Sequence, residues 1–221
     1  YRVGKDQYEL FNRAAAEQGL TSFAYLLAGF SKSFLQLSKL SGMYIATAVD
    51  RHERELSQQI GCLIKTLPVR CEYDASLDIA TIGKSLSKQI NDSLSYSPSE
   101  ILAPESQYDF DVYDAGGVMK TIFCAMILPD ARISRSPFAK SFHSTAEKSQ
   151  KIGQMTVTKL DLPIQSTSPA SLGFFIIPEP DGATIHVEYH NHLFCKSDIA
   201  ELLKRIEDNL GLNFVDDQNP G

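Results

Sequence analysis

The chain has 221 residues, 43% of them hydrophobic and 22% charged, which is enough apolar material for one large core or two small ones and too much for a disordered chain. A net charge of −6 argues against a nucleic-acid partner, because phosphate binding needs clustered Lys and Arg. The apolar stretches fall short of the ~20 residues that span a bilayer, so no membrane partner is expected.

The chain opens Tyr1-Arg2-Val3-Gly4, without Met and without a basic-then-apolar leader, as expected of a piece cut from a longer protein. A first helix is expected from Asp6, capped with Glu9, and ending before Gly19. Thr21 caps a second helix to about Leu40. Its residues Phe23, Leu26, Leu27, Phe30, Phe34 and Leu37 recur at helical spacing and form a core stripe. Met43 to Val49 reads as a strand, and 51–59 as a polar connection. Ile60 to Tyr73 is extended, with Pro68 limiting regular pairing. Ser76 starts a third helix through Ile79, Ile82, Leu86, Ile90 and Leu94.

Residues 95–118 are loop-rich and acidic, a pattern usually left as solvated surface. Met119 to Leu128 is almost wholly apolar, which suits a strand covered on both faces. Pro129 to Gly153 lacks periodicity and tilts basic. Met155 to Thr167 and Leu172 to Ile177 read as extended, and Pro178 to Gly182 as a turn. Thr184 to His190 alternates, with Ile185, Val187 and Tyr189 on one face. Ser197 then caps a last helix, which Gly211 ends. Tyr189, Leu193 and Phe194 read as core. Interleaved helices and strands point to an α/β (α+β) two-layer sandwich with a mixed sheet, one unit over residues 1–221.

The four cysteines, Cys62, Cys71, Cys124 and Cys195, include no C-x-x-C, so a zinc ribbon and a thioredoxin motif are both excluded. They read as reduced, mostly buried thiols of a cytoplasmic protein, with no adjacent base to activate them. No G-x-G-x-x-G, G-x-x-x-x-G-K-[ST] or G-x-S-x-G occurs, so there is no case for a dinucleotide, an NTP or an esterase nucleophile. If the strand continues past Tyr189, His186, Glu188, His190 and His192 share a face. His186 and His190 would then stand ~13 Å apart at ~3.3 Å per residue, too far to chelate one ion, and no metal is expected.

Five segments go further than composition. Ile60-Gly61-Cys62-Leu63-Ile64-Lys65-Thr66-Leu67-Pro68-Val69-Arg70 resembles the I-G-x-F-V-N-T-x-x-x-R motif of nonribosomal peptide synthetase condensation domains. Met43 to Glu55 looks like the strand and G-R-x-x-x-E-type stretch before it, and Phe23 to Phe30 is similar to the family's T-x-x-x-x-L-L-A-A-F helix. Lys159-Leu160-Asp161-Leu162 resembles K-F-D-L, and Tyr189-His190-Asn191-His192-Leu193-Phe194 resembles Y-N-x-x-L-F. Order and spacing agree over nearly the whole chain.

The resemblance implies the C-terminal half of a V-shaped, two-subdomain domain, each half built like a chloramphenicol acetyltransferase monomer. The H-H-x-x-x-D-G motif with the family's catalytic histidine belongs to the N-terminal half and has no match here, so no catalytic residue is expected in this chain. The implied partners are the N-terminal condensation subdomain, peptidyl or acyl carrier proteins and an adjacent adenylation domain. No cofactor is expected to be bound, and substrates would arrive as phosphopantetheine thioesters. Lys65 and Thr66 are the candidate tunnel-lining residues. Arg51, Arg70 and Asp161 are read as structural.

Departures mark a divergent member. Lys65 stands where the motif has Asn, the H-Q-D-x-P-F-E segment is reduced to Ser95-Tyr96-Ser97-Pro98-Ser99-Glu100, and R-D-x-S-x-x-P-L-F is not recognisable in 107–119. Two other readings stay open: a complete small CoA-dependent acyltransferase, and a non-catalytic carrier-protein docking module.

Overall fold

The computed structural model describes residues 1–50, 64–94, 119–126, 149–158, 170–179 and 181–215. Arg51, residues 60–63 of the resembling segment, and Asp161 with its K-x-D-L neighbours lie outside the described residues.

Among these residues a six-stranded sheet and four helices form two layers. The chain runs β1 (Arg2–Gly4), α1 (Lys5–Glu17), α2 (Ser22–Ser38), β2 (Gly42–Asp50), β3 (Ile64–Glu72), α3 (Ile79–Leu94) and β4 (Met119–Met126). After them come β5 (Ser149–Ile152), β6 (Met155–Thr158), β7 (Ala170–Glu179), β8 (Gly182–Tyr189) and α4 (Lys196–Leu210). The main sheet has the order β1-β8-β7-β4-β2-β3, and β5 pairs β6 in a separate hairpin. β2–β4 and β4–β7 are parallel, and the other neighbours in the main sheet are antiparallel. The expected mixed sheet is therefore present. Pro68 sits on β3, an edge strand, where a residue without an N–H is tolerated.

The helix ends show where local chemistry decided and where tertiary pairing overrode it. Thr21 caps α2 as expected, its Oγ1 accepting from Ala24 N at 3.1 Å. The expected start at Asp6 moves to Lys5, with Gly4 at the N-cap and no side-chain cap. The reason is tertiary: Arg2 to Gly4 pair with β8, so the chain leaves a strand and enters the helix at once. Glu9 reaches back to Lys5 (3.9 Å) instead of forming a capping box. The start expected at Ser76 moves to Ile79. Asp74 holds Ser76 in a turn through its N (2.8 Å) and Oγ (2.6 Å), and Asp78 accepts from Thr81 N (2.7 Å). Those hydrogen bonds hold both carboxyls below their ordinary range. For α4 the cap is Cys195 rather than Ser197, with Asp198 accepting from Cys195 N (2.7 Å) in a reciprocal capping box. Gly211, at φ 65°, ends α4 as expected. α2 stops at Ser38, with Lys39 in the left-handed region at φ 56°.

Helix α2 lies centrally in its layer and touches α1, α3 and α4. Its Leu26, Leu27, Phe30 and Leu35 are fully buried against Leu67 and Val69 of β3, Ile45 of β2, Cys124 of β4, and Leu172, Phe174 and Ile176 of β7. The Phe30 ring meets those of Phe174 (5.1 Å) and Phe34 (6.2 Å). α4 buries Ile199, Leu202, Leu203, Ile206 and Leu210 on one side. Tyr189 and Phe194 pack at the margin of this core. Leu193, read as core, is instead 51% exposed, because it lies in the turn that leads into α4, where Leu193 N and Phe194 N both donate to His190 O. No described helix is long and apolar enough to cross a membrane.

Cys71 and Cys124 are buried free thiols, and Cys195 is an exposed one. Burial lifts Cys71 from its ordinary 9.0 to about 11, against a smaller lowering by its Ser31 hydrogen bond. Burial raises Cys124 too, with Cys71 adding to it. Folded Cys71 thus keeps a proton that the unfolded chain releases above about pH 9. Stability from this source is full below that pH and is lost as the pH climbs toward 11, on the order of 2 kcal/mol for Cys71. Urea unfolding at about pH 8 and about pH 10.5 should show the fall, and Cys71→Ala should shrink it. A midpoint independent of pH across that window would refute this account.

Candidate functional site

Alternation along the strands sends one set of side chains into the helix layer and the other to the opposite face of the sheet. That opposite face is the candidate site. On β3, Leu67, Val69 and Cys71 are buried while Thr66, Pro68 and Arg70 are exposed. On β2, Tyr44 is 64% exposed and stands across from Arg70 in register, and Ala46 stands across from Pro68. Further along, Phe123 of β4, Phe175 of β7 and His186 of β8 make a row of rings, with centroids 5.6 and 6.2 Å apart. Phe175 and His186 are directly opposite in the β7–β8 register, as are Gly173 and Glu188. His186 Nε2 lies 3.1 Å from Glu188 Oε1.

The face thus grades from an Arg–Tyr end to an aromatic row ending in a His–Glu pair. Small residues, Ala46, Ala125 and Gly173, fill its middle strands and are buried. At the Arg–Tyr end, Ser41, Gly42, Met43, Tyr44, Arg70 and Glu72 line an open groove of about 480 Å³. Such a surface offers apolar contact along its middle strands and hydrogen bonding at Thr66, Tyr44 and His186.

Of the residues singled out from the sequence, Thr66 is exposed on this face, across from Ala48 in register, whereas Lys65, across from Val49, holds a position in step with Leu67, Val69 and Cys71, so the strand does not bring the two to one face. Arg70 pairs with Glu72 (2.7 Å), both well exposed, so its ion pair lies on the outer surface and not inside the sheet. A pair this exposed contributes little stability. The β8 strand ends at Tyr189, so His190 and His192 do not continue the face of His186. Their rings meet edge-on at 5.2 Å in the turn before α4. Among the described residues no three His, Cys, Asp or Glu converge on a point.

The sequence reading passed over the Phe123–Phe175–His186 row. Its signal was present in the alternation of Phe174 with Phe175 and of Ile185 with His186. What was not local is that β4, β7 and β8 are neighbours.

No protein-family model matches the chain, and no curated protein sequence matches it. Solved structures do. A four-domain nonribosomal peptide synthetase bound to AMP and glycine superposes with a TM-score of 0.71 at 19% identity, over 96% of this chain and 16% of that one. The condensation domain described for chain release from the enacyloxin polyketide synthase gives 0.64 at 16% identity, over 95% of this chain and 39% of that one. The acyl transferase PapA2 gives 0.64 at 11% identity, over 94% and 42%.

This is the fold of a condensation-domain subdomain. The chain spans about two-fifths of the length of the single condensation-domain and acyltransferase chains that it matches. The subdomain fold is shared by proteins described both as condensation domains and as an acyl transferase, so the fold fixes the architecture and leaves the chemistry to the site.

Proposed function

We propose that this chain is the C-terminal half of a condensation-type domain in a peptide assembly line, and that the sheet face opposite its described helices forms one wall of the tunnel between two halves. The observation that carries the reading is the pairing of two facts. Nearly all of this chain superposes on about two-fifths of condensation-domain chains, and its five resembling segments follow the order of the family's C-terminal half.

On this reading the substrates are acyl or aminoacyl thioesters on the phosphopantetheine arms of carrier proteins. The acceptor amine attacks the thioester carbonyl, an oxyanion develops on the carbonyl oxygen, and the thiol leaves on the arm. Proton transfer from the amine belongs to the histidine motif of the N-terminal half. This chain's residues then orient and enclose. Thr66 supplies an exposed hydroxyl for amide groups of the arm, and the aromatic row excludes water. Excluding water and holding the two reactants together are where a tunnel wall contributes most. The N-terminal condensation subdomain, carrier proteins and an adjacent adenylation domain are the partners, in the cytoplasm, with no resident cofactor.

The test assays carrier-bound and CoA thioesters with this chain alone, then with the upstream subdomain restored. Turnover should appear only with the upstream half and vanish when its motif histidine is replaced. Robust turnover by the 221 residues alone would overturn the proposal in favour of a complete small acyltransferase. A restored pair that binds carrier protein but never turns over would overturn it in favour of a docking module.

A further inference from the structure

The two edges of the main sheet are closed by different means. At the β1 edge a backbone segment does it: Arg2 N donates to Val215 O (2.8 Å) and Val215 N donates to Arg2 O (2.9 Å). At the β3 edge a side chain makes the same pair of bonds. Arg70 N donates to Gln89 Oε1 (2.9 Å) and Gln89 Nε2 donates to Arg70 O (3.0 Å). A primary amide carries one acceptor and one donor in the geometry of a peptide group, so Gln89 presents to Arg70 what a neighbouring strand would present. The two bonds also fix the orientation of the amide, since the flipped group would set oxygen against oxygen and N–H against N–H.

The rest of the edge follows from the register. β3 pairs with β2 along all nine of its residues, so only alternate residues turn their N–H and C=O outward. Arg70 turns outward, because its groups meet Gln89. Thr66, Pro68 and Glu72 therefore share that direction. Pro68 has no N–H to offer. Gln89 and Pro68 together leave a nine-residue edge strand with its central rungs either occupied or missing.

We propose that Gln89 is a strand surrogate: its amide closes the outer edge of β3 and keeps this chain from pairing edge to edge with a second copy of itself. A second copy is the occupant the geometry favours. Antiparallel pairing about a two-fold axis at Pro68 lays the outward-turned Ile64, Thr66, Pro68, Arg70 and Glu72 of one copy against Glu72, Arg70, Pro68, Thr66 and Ile64 of the other, so that all nine residues of β3 overlap with no like charges opposed. An uncovered strand of this length is the kind of edge that pairs in this way. The placement of Gln89 on α3 supports the role. Leu86 and Ile90 of the same helix are buried in the core, which anchors α3 beside β3 and leaves Gln89 aimed at the edge.

The test uses the full chain, with amide hydrogen exchange and sedimentation equilibrium on wild type, Gln89→Ala, Gln89→Glu and Gln89→Ala/Pro68→Val. In dilute Gln89→Ala the Arg70 amide should exchange about tenfold faster than in wild type. As concentration rises this variant should dimerise and regain protection at Thr66 and Arg70, and restoring the N–H at position 68 should strengthen the dimer. Gln89→Glu keeps the acceptor for Arg70 N but loses the donor to Arg70 O, so it should fall between wild type and Gln89→Ala, and it serves if Gln89→Ala does not fold. Equal Arg70 exchange in wild type and both variants would overturn the assignment. So would faster exchange in variants that stay monomeric, or a wild type that already pairs through β3.

Discussion

Phe30→Ala should lower the unfolding free energy by about 3–5 kcal/mol, the range for emptying a fully buried phenylalanine site. The ring has no solvent exposure and stands in contact with Phe174 across the layer interface and with Phe34 along its own helix. Its removal costs the transfer of the ring and leaves a void between α2 and β7, which neither the sheet backbone nor the central helix can close by shifting. Urea unfolding followed by circular dichroism would measure the loss as a fall in midpoint at unchanged slope. Phe34→Ala, at a partly buried position, should lose less. A loss under about 1 kcal/mol for Phe30→Ala would mean that α2 does not carry the core contact assigned to it.

Gly182→Ala should destabilise by about 3 kcal/mol, through two separate causes. Gly182 opens β8 at φ 141°, a conformation that residues with a Cβ avoid. A Cβ there would also run into the backbone carbonyl of Val3 on β1. Neither cause can relax cheaply, since the obstacle is main chain and not the end of a flexible side chain. Relief requires β1 to move away, which would break its pairing at Gly4↔Gly182 and loosen the entry into α1. Exchange protection should drop first at Arg2 to Gly4 and at Ile185, whose N donates to Tyr1 O. Uniform loss over the whole sheet, with β1 no worse than the rest, would count against this cause.

The candidate site was legible in part. The segment resembling a condensation-domain motif could be read from residue order alone, and it contains Thr66, Pro68 and Arg70 of the exposed face. Arg70 was read as structural, and it does pair with a carboxylate, but with Glu72 on the outside. A strand's own sequence says which residues alternate, not whether the polar set meets solvent or another element. The amide of Gln89 was invisible for the same reason. Glutamine on the flank of a helix is an ordinary surface residue until the helix is known to lie beside a sheet edge.

Periodicity alone placed the apolar stripes of α2, α3 and α4 and the alternation of β8, because a helix or strand repeats its face every 3.6 or 2 residues whatever covers it. Thr21 and Gly211 were readable as helix ends, since a cap acts on backbone groups within a few residues of itself. Where the expected caps failed, at Asp6, Ser76 and Ser197, neighbouring groups competed: the pairing of β1 with β8, the Asp74 turn, and the Cys195–Asp198 box. The strand order β1-β8-β7-β4-β2-β3 was decided only by the tertiary structure. So were the row Phe123–Phe175–His186 and the closure of β3 by Gln89. Each depends on hydrogen bonds or ring contacts between different elements, and local pattern carries which side of an element is apolar but not which element comes to cover it.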